Sequence, residues 1–298
     1  MPFKIYVFKL KFIVLIMLII CTFVFGVIPI YAFCSNSSKK YIFEENSKLP
    51  VPIIMYHSIL KDKSKSNKYI ITPDTLEGDI KYLLENGYTT IFVSDLISYV
   101  YNGVSLPSKP IILSFDDGDY NNYTYVFPLL KKYNVKATIS VVGYYTDFYS
   151  EKDEANSNYG YLRWKDISEL IGSGLVEFGN HTYNLHKSSN GRYGAKKKYS
   201  ESCKSYELFL TSDLQKLQDD FSKNVHYTPY LFTYPYGGIS KESIGIIKNI
   251  GFKASFSCTS GINYITQKPE CLFNLKRNNR PNGISSNVFF SKIFKKCQ

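Results

Sequence analysis

Short apolar runs alternate with amphipathic segments along the chain after residue 50. Runs of four to eight apolar, often β-branched residues are typical of buried strands, whereas apolar residues at i, i+3 and i+4 predict helices. The runs predict strands over 51–56, 88–93, 110–115, 136–142, 175–179, 230–234, 252–257 and 271–276. The segments between them predict helices over 72–87, 94–103, 123–133, 164–174, 205–223 and 241–251, with a last helix from Ser286.

This alternation predicts the fold class. Strands that alternate with helices at this spacing favour an α/β protein with a parallel sheet. Seven or eight such units in about 245 residues favour a closed (β/α) barrel over an open sheet.

The N-terminus follows a different pattern. Three lysines among the first eleven residues precede an uncharged apolar stretch, residues 12–28. This layout is typical of a signal peptide or of a single membrane-spanning helix. The basic flank predicts that the N-terminus stays in the cytoplasm and that the chain after about residue 32 lies outside the cell.

The domain organisation follows from this pattern. Residues 1–32 are interpreted as a signal peptide or N-terminal membrane anchor, 33–49 as a polar linker and 50–298 as the folded domain. Cleavage after Ala32 and retention of the apolar stretch both remain open. The expected location is the outer face of the cell membrane or the secreted fraction.

Charge and cysteine usage narrow the function classes. The net charge of +11 suits an exported protein that meets an anionic cell-wall polymer, and no nucleic-acid-binding module is recognisable. No C-x-x-C pair occurs, which disfavours a thiolate zinc site or a thioredoxin-like centre. One disulfide or free buried thiols both fit the remaining cysteines.

Chemically active side chains follow several predicted strands. In a (β/α) barrel the active site lies where strands end and the next loops begin. The residues at or just beyond these ends are His57, Asp116, Asp117, His181, His186, Tyr236 and Arg277. Three of the four histidines belong to this group. Their placement at strand ends is evidence, from the sequence pattern alone, for a single active site.

Two carboxylates and two histidines suit a metal site. Asp116 and Asp117 precede Gly118 at a turn and point in different directions, so one can bind a metal while the other contacts a water. A glycosidase pair is disfavoured, since its carboxylates flank a bond at about 5–9 Å. His181 and His186 are five apart and converge only in a curved loop or a first helical turn. With one Asp they form a two-His-one-carboxylate site for a divalent metal.

Three other features have two interpretations each. Trp164, at a helix start, fits packing better than sugar contact, and it is kept with Arg277 and Tyr236 as a candidate substrate-contacting residue. His226 precedes its strand and is interpreted as a surface or turn residue. The Lys-, Ser- and Gly-rich segment 186–204 is either a mobile loop or an arm that guides a polymer.

From about residue 50 to residue 298 the chain resembles the polysaccharide deacetylase family (NodB-like, carbohydrate esterase family four), and within it the branch of poly-N-acetylglucosamine deacetylases. The resemblance is carried by VPIIMYHSI, LPSKPIILSFDDGDYNNYTYVFPLLKKYNVKATISVVG, LVEFGNHTYNLH, FTYPYGG and LKRNNRP. It implies a distorted (β/α) barrel with seven or eight parallel strands. It also implies a polysaccharide N-deacetylase, a hydrolase of linear amide bonds, that acts on an N-acetylglucosamine-containing polysaccharide.

The resemblance also implies roles for single residues. Asp116 matches the catalytic base, and Asp117, His181 and His186 match the metal ligands. Tyr236 matches the position whose backbone N–H helps to hold the oxyanion. Zinc is the expected ion for this ligand set, with cobalt, nickel or iron as alternatives. A monomer is expected.

The chain departs from the family pattern at two places. The usual Arg that orients the base falls at Thr233, and the late Leu-x-His motif has no histidine. We therefore expect His57, or Asp116 once protonated, to give the departing amine its proton. The departures leave open a non-catalytic cell-wall or polysaccharide-binding protein with the same fold. Among substrates, poly-N-acetylglucosamine leads and peptidoglycan follows.

Overall fold

The computed structural model describes residues 48–189 and 191–295. The predictions for the signal or anchor segment and for most of the linker therefore lie outside the described residues. Within the described ranges, no helix combines the length and the apolar character needed to span a bilayer.

The described residues form short strands joined by helices. The strands are β1 (Leu49–Val51), β2 (Ile53–Tyr56), β3 (Ser58–Ile59), β4 (Ile70–Ile71), β5 (Thr89–Thr90), β6 (Pro110–Phe115), β7 (Ala137–Val141), β8 (Val176–Asn180), β9 (Ser188–Ser189), β10 (Arg192–Tyr193), β11 (Leu231–Thr233), β12 (Ala254–Phe256), β13 (Asn263–Ile265) and β14 (Asn278–Asn279). The α-helices are α1 (Pro73–Glu85), α2 (Val93–Asn102), α3 (Phe127–Tyr133), α4 (Gly143–Lys152), α5 (Trp164–Gly172), α6 (Cys203–Val225), α7 (Ser243–Ile250) and α8 (Ser286–Phe294). Short 3₁₀ turns span Lys63–Lys65, Pro235–Gly237 and Pro269–Leu272, and a π-helical turn spans Asn122–Val126.

Seven parallel strands form one curled sheet in the order β12-β11-β8-β7-β6-β2-β14. The short strand β5 pairs with the start of β6. The segment before β14 bridges to β12 through Leu275 and Phe256, while β14 itself pairs with β2. This segment therefore contacts both ends of the sheet and completes a barrel-like shape. The predicted distorted barrel with seven or eight parallel strands is confirmed.

The central strands are apolar because both of their faces are covered. All six residues of β6 are buried. Ile111 and Leu113 pack into one hydrophobic cluster, whereas Ile112 packs into another on the opposite face. Strands of a parallel sheet that is covered on both faces read as continuous apolar runs. This is why the sequence pattern located β6 correctly.

Two predicted strands were wrong or incomplete, and one helix was not predicted. The strand predicted over 271–276 is not formed, because a 3₁₀ turn occupies Pro269–Leu272 and pairing with β2 begins only at Asn278. The strand predicted over 88–93 is shortened, because the buried carboxylate of Glu177 accepts hydrogen bonds from the N–H groups of Val93 and Ser94 and starts α2 there. Helix α4 was not predicted, since only two of its residues are buried.

The cysteines of the described ranges are free thiols. Cys203 and Cys258 are exposed and Cys271 is partly buried. Of the two interpretations from the sequence, a disulfide or free buried thiols, these three residues are free thiols, but none of them is fully buried.

The sheet register brings the strand ends to one edge. Tyr56 of β2 is level with Phe115 of β6, and Val141 of β7 is level with Asn180 of β8. The residues that follow these ends therefore share the carboxyl edge of the sheet, where (β/α) barrels carry their sites.

Candidate active site and metal centre

A cavity of about 600 Å³ opens at this edge. Six of the eight predicted site residues line it, namely His57, Asp116, Asp117, His181, His186 and Tyr236. The other two do not line it: Arg277 lies buried behind Asp116, and Trp164 packs outside the cavity. The predicted strand-end residues thus form one constellation.

Asp117, His181 and His186 form a group that could hold a metal ion. Asp117 Oδ1 lies 3.4 Å from His181 Nε2 and 3.1 Å from His186 Nε2, and the ligand atoms all lie within 4.8 Å of one another. Within the described part of the chain, this buried Oδ1 makes no hydrogen bond of normal geometry. Two imidazoles and a carboxylate suit a divalent metal that keeps open positions. The residues therefore fit a metal.

Each histidine is oriented through its other ring nitrogen. His181 Nδ1 lies 2.7 Å from the carbonyl oxygen of Thr233, to which it donates, so Nε2 is left to face Asp117. His186 Nδ1 lies 3.3 Å from the hydroxyl oxygen of Tyr236. Burial alone would lower the pKa of His181, but Asp117 and Asp116 outweigh burial and raise it. The same histidines hold the pKa of Asp117 below its usual value against the effect of burial.

The turn after β6 separates the two carboxylates. Asp117 and Gly118 both adopt left-handed conformations, with φ of 72° and 77°. A Cβ on Gly118 would lie 2.7 Å from Val141 Cγ1, so only glycine fits there. Asp117 consequently faces the histidines, while Asp116 faces the barrel interior and a different partner.

That partner is Arg277. Its guanidinium donates to both carboxylate oxygens of Asp116, at 2.6 and 2.8 Å, and its Nε donates to the carbonyl oxygen of Ser257 at 2.9 Å. Arg277 is 1% exposed. The expected contact of Arg277 with substrate is therefore corrected, because its donors already face Asp116 and Ser257. Arg277 supplies the guanidinium that sequence reasoning considered missing at Thr233.

The ion pair controls the charge of Asp116. Burial would raise the pKa of Asp116, but Arg277 and His181 outweigh burial and hold the pKa below its usual range. Asp116 is therefore ionised at neutral pH, and its two oxygens are fixed by a bidentate contact.

His57 and Asp119 add to the polar lining of the cavity. His57 Nε2 lies 4.0 Å from Asp116 Oδ2, and the ring of His57 packs on Tyr69. Burial lowers the pKa of His57 despite the nearby carboxylates. Asp119 was not singled out from the sequence. Burial, with a further contribution from the charge of Asp117, raises its pKa to about 7.

The loop between the two histidines is held by Asp213 of helix α6. Its carboxylate accepts hydrogen bonds from the backbone N–H groups of Tyr183 at 2.8 Å and Asn184 at 2.9 Å. Burial raises the pKa of Asp213 to about 6. No sequence signal pointed to this contact, because the partners are backbone groups about thirty residues away. The loop curves as the five-residue histidine spacing required.

Trp164 lies outside the cavity lining. Its indole N–H donates to Asp147 Oδ1 at 2.9 Å, and its ring packs edge-on against Phe221. The expectation that Trp164 contacts substrate is therefore replaced by a packing role. His226 ends helix α6 in a left-handed conformation at the surface, as the sequence predicted.

Comparisons with known proteins agree with this geometry. The sequence profile of the polysaccharide deacetylase family matches residues 103–255. A poly-β-1,6-N-acetyl-D-glucosamine N-deacetylase of Staphylococcus epidermidis is 27% identical over 259 residues, which are 84% of this chain and 86% of that protein. A protein of the same name from Escherichia coli is 26% identical over 227 residues, which are 70% of this chain but only 34% of that protein. A solved de-N-acetylase from Aggregatibacter actinomycetemcomitans shares the fold, with a TM-score of 0.69, 24% identity, and coverage of 84% of this chain and 100% of that chain.

Proposed function

The chain belongs to the polysaccharide deacetylase family, and from this premise we propose that it removes N-acetyl groups from an N-acetylglucosamine-containing polysaccharide. The observation that carries the proposal is the meeting of Asp116, Asp117, His181 and His186 at one cavity. The names of the curated relatives support poly-N-acetylglucosamine as the polymer, with peptidoglycan second.

Asp117, His181 and His186 are the residues that would hold one divalent metal. Zinc suits this donor set, and cobalt, nickel and iron are the alternatives. When bound, the metal supplies Lewis-acid polarisation of the acetyl carbonyl and lowers the pKa of water at the site.

Asp116 acts as the general base. It accepts a proton from the attacking water, which requires an ionised and oriented carboxylate. Arg277 provides both conditions through its bidentate contact. Arg277 therefore compensates for the arginine that is absent at Thr233, one of the two departures that left a non-catalytic binding protein open.

Tyr236 contributes to oxyanion binding through its backbone N–H. The residue adopts a left-handed conformation, with φ of 57° and ψ of 9°, in the turn that follows β11. Non-glycine residues are uncommon in this region, and such strain is concentrated at functional sites. A preorganised N–H at the reacting centre stabilises charge as it develops on the carbonyl oxygen.

His57, in its imidazolium form, gives the departing amine its proton and is left neutral. It lines the cavity beside Asp116, and its Nδ1 has no hydrogen-bond partner among the described residues. The proton that Asp116 takes from water is then the alternative source. Full activity in a His57→Ala variant would assign the step to Asp116.

The reaction takes place outside the cell, with residues 1–32 as the signal or anchor, and the enzyme acts as a monomer. Two features of the sequence support the location: the basic flank before the apolar stretch, and the absence of charge over residues 12–28.

Acetate release from two polymers tests the proposed function. The zinc-loaded full chain, kept in mild detergent, is expected to release acetate from poly-β-1,6-N-acetylglucosamine at least about tenfold faster than from peptidoglycan, measured by a coupled acetate assay. A faster rate on peptidoglycan would reassign the substrate. No acetate from either polymer by the metal-loaded protein would contradict the proposed deacetylase.

A further inference from the structure

The basic loop, residues 186–204, is docked on the domain over the part that the structure describes. Arg192 pairs with Glu201 at 2.6 Å and lies over the ring of Phe209. The hydroxyl of Tyr206 donates to the carbonyl oxygen of Ala195 at 2.7 Å, and this bond is buried. These contacts hold the basic loop against helix α6.

The basic loop lies directly against the turn that carries Tyr236. A Cβ on Gly194 would lie 2.6 Å from the carbonyl oxygen of Pro235, and a Cβ on Gly238 would lie 2.6 Å from that of Tyr193. Such close approach of two backbones requires glycine at both positions. The backbone of Tyr193 is therefore fixed relative to the turn.

This docking places the ring of Tyr193 in the cavity wall. Its centroid lies 5.1 Å from that of Tyr236, whose ring in turn lies 4.5 Å from that of His186. Tyr193 and Tyr236 both line the cavity, yet they are 48% and 39% exposed. An aromatic strip therefore extends from the candidate metal ligand His186 to the outer end of the cavity.

Other parts of the cavity lining supply a further aromatic ring and a polar group. Tyr69, which packs on His57, is 45% exposed, and Asn279 carries a buried Oδ1 without a hydrogen-bond partner among the described residues. Both residues line the same cavity. Exposed aromatic rings together with an unpaired amide oxygen suit a ligand that has apolar C–H faces and polar N–H or O–H groups, as a pyranose does.

We propose that Tyr193 is the stacking wall of a sugar subsite that binds the N-acetylhexosamine next to the reacting residue. This inference rests on the proposed function, because the reacting residue is defined by Asp116 and the candidate metal ligands. The subsite gives preference to a polymer over a single sugar, since only a polymer supplies a neighbouring sugar for Tyr193 to contact.

Binding measured without turnover tests the subsite. In the zinc-loaded full chain carrying Asp116→Asn, Tyr193→Ala is expected to weaken binding of a β-1,6-linked N-acetylglucosamine pentasaccharide about tenfold in calorimetry. Tyr193→Trp should restore the affinity, because an indole also stacks on a sugar. Tyr199→Ala is the matched control, since Tyr199 lies in the same loop, is fully exposed and does not line the cavity. It should leave the affinity unchanged.

Two outcomes would overturn the subsite. One is equal affinity of the Tyr193→Ala and parental proteins for the pentasaccharide, and the other is equal weakening by Tyr199→Ala. Acetate release by the chain with Asp116 intact separates this failure from that of the proposed function. If the parent is active and Tyr193→Ala leaves its KM unchanged, only the proposed subsite is contradicted. If the parent is inactive on every polymer, the proposed function and the subsite are both contradicted.

Discussion

Asp116→Asn is expected to lower the rate of acetate release by at least about 10³-fold, because the amide cannot accept the proton of the attacking water. The metal affinity should stay close to that of the parent, since Asp117, His181 and His186 are unchanged. The rate is measured with polymer in excess, and the zinc affinity by competition with a chromophoric chelator. A variant that binds zinc normally yet retains a tenth of the activity would remove Asp116 from the role of base.

A second buried Arg–Asp ion pair in the same protein provides the control for Asp116→Asn. Asp79 and Arg280 are fully buried and bidentate, at 2.8 and 3.1 Å, but they lie outside the cavity lining. Asp79→Asn leaves a buried guanidinium without its charged partner, just as Asp116→Asn does. Both variants should therefore lose stability, but only Asp116→Asn should lose the reaction well below the melting temperature.

Arg277→Met is expected to change both stability and pH dependence. The substitution leaves Asp116 buried without its charged partner, so the free energy of unfolding at neutral pH falls by about 3–5 kcal/mol. The pKa of Asp116 then rises, because Arg277 is the largest of the effects that lower it in the folded protein. The base is ionised only above its pKa, so the acidic limb of the kcat–pH profile moves to higher pH.

The stability itself should depend on pH in a related way. The folded pKa of Asp116 lies below its unfolded value of about 3.9, so the pair stabilises the fold at neutral pH. This contribution is lost as the pH falls through the folded pKa. In Arg277→Met the contribution is absent, and the melting temperatures of parent and variant should approach each other in acid.

Arg280→Met is the matched variant for this prediction. It should cost a similar free energy of unfolding, because Arg280 and its partner Asp79 are as deeply buried as Arg277 and Asp116. It should not move the kcat–pH profile, since it does not touch Asp116. An unchanged profile in Arg277→Met would contradict the assignment of Arg277 as the residue that positions and ionises the base.

The local pattern of apolar residues made part of the fold and of the candidate site predictable from the sequence. Strand β6 is an uninterrupted apolar run because both of its faces are buried, and Asp116 and Asp117 follow it directly. The strand-end rule places His57 and His181 at the same edge from the sequence alone.

The remaining features of the site depend on contacts between residues far apart in the sequence, and the sequence pattern could not predict them. The contact between Asp116 and Arg277 joins residues 161 positions apart. The strand that follows Arg277, β14, pairs with β2 over only two residues. Nothing in the spacing of LKRNNRP distinguishes an arginine that faces substrate from one that faces a buried carboxylate. The position of Tyr193 likewise depends on the close approach of two backbone segments at Gly194 and Gly238. The sequence shows only that both residues are glycines, not that their backbones are in contact.

Removal and return of the metal test whether this chain is a metal-dependent deacetylase. The full chain is dialysed against a chelator, its metal content is measured by mass spectrometry, and acetate release from poly-β-1,6-N-acetylglucosamine is followed before and after addition of zinc. We expect activity to disappear with the metal and to return at one equivalent of zinc in the parent, but not in His181→Ala. Undiminished acetate release from protein that contains no metal would contradict this expectation.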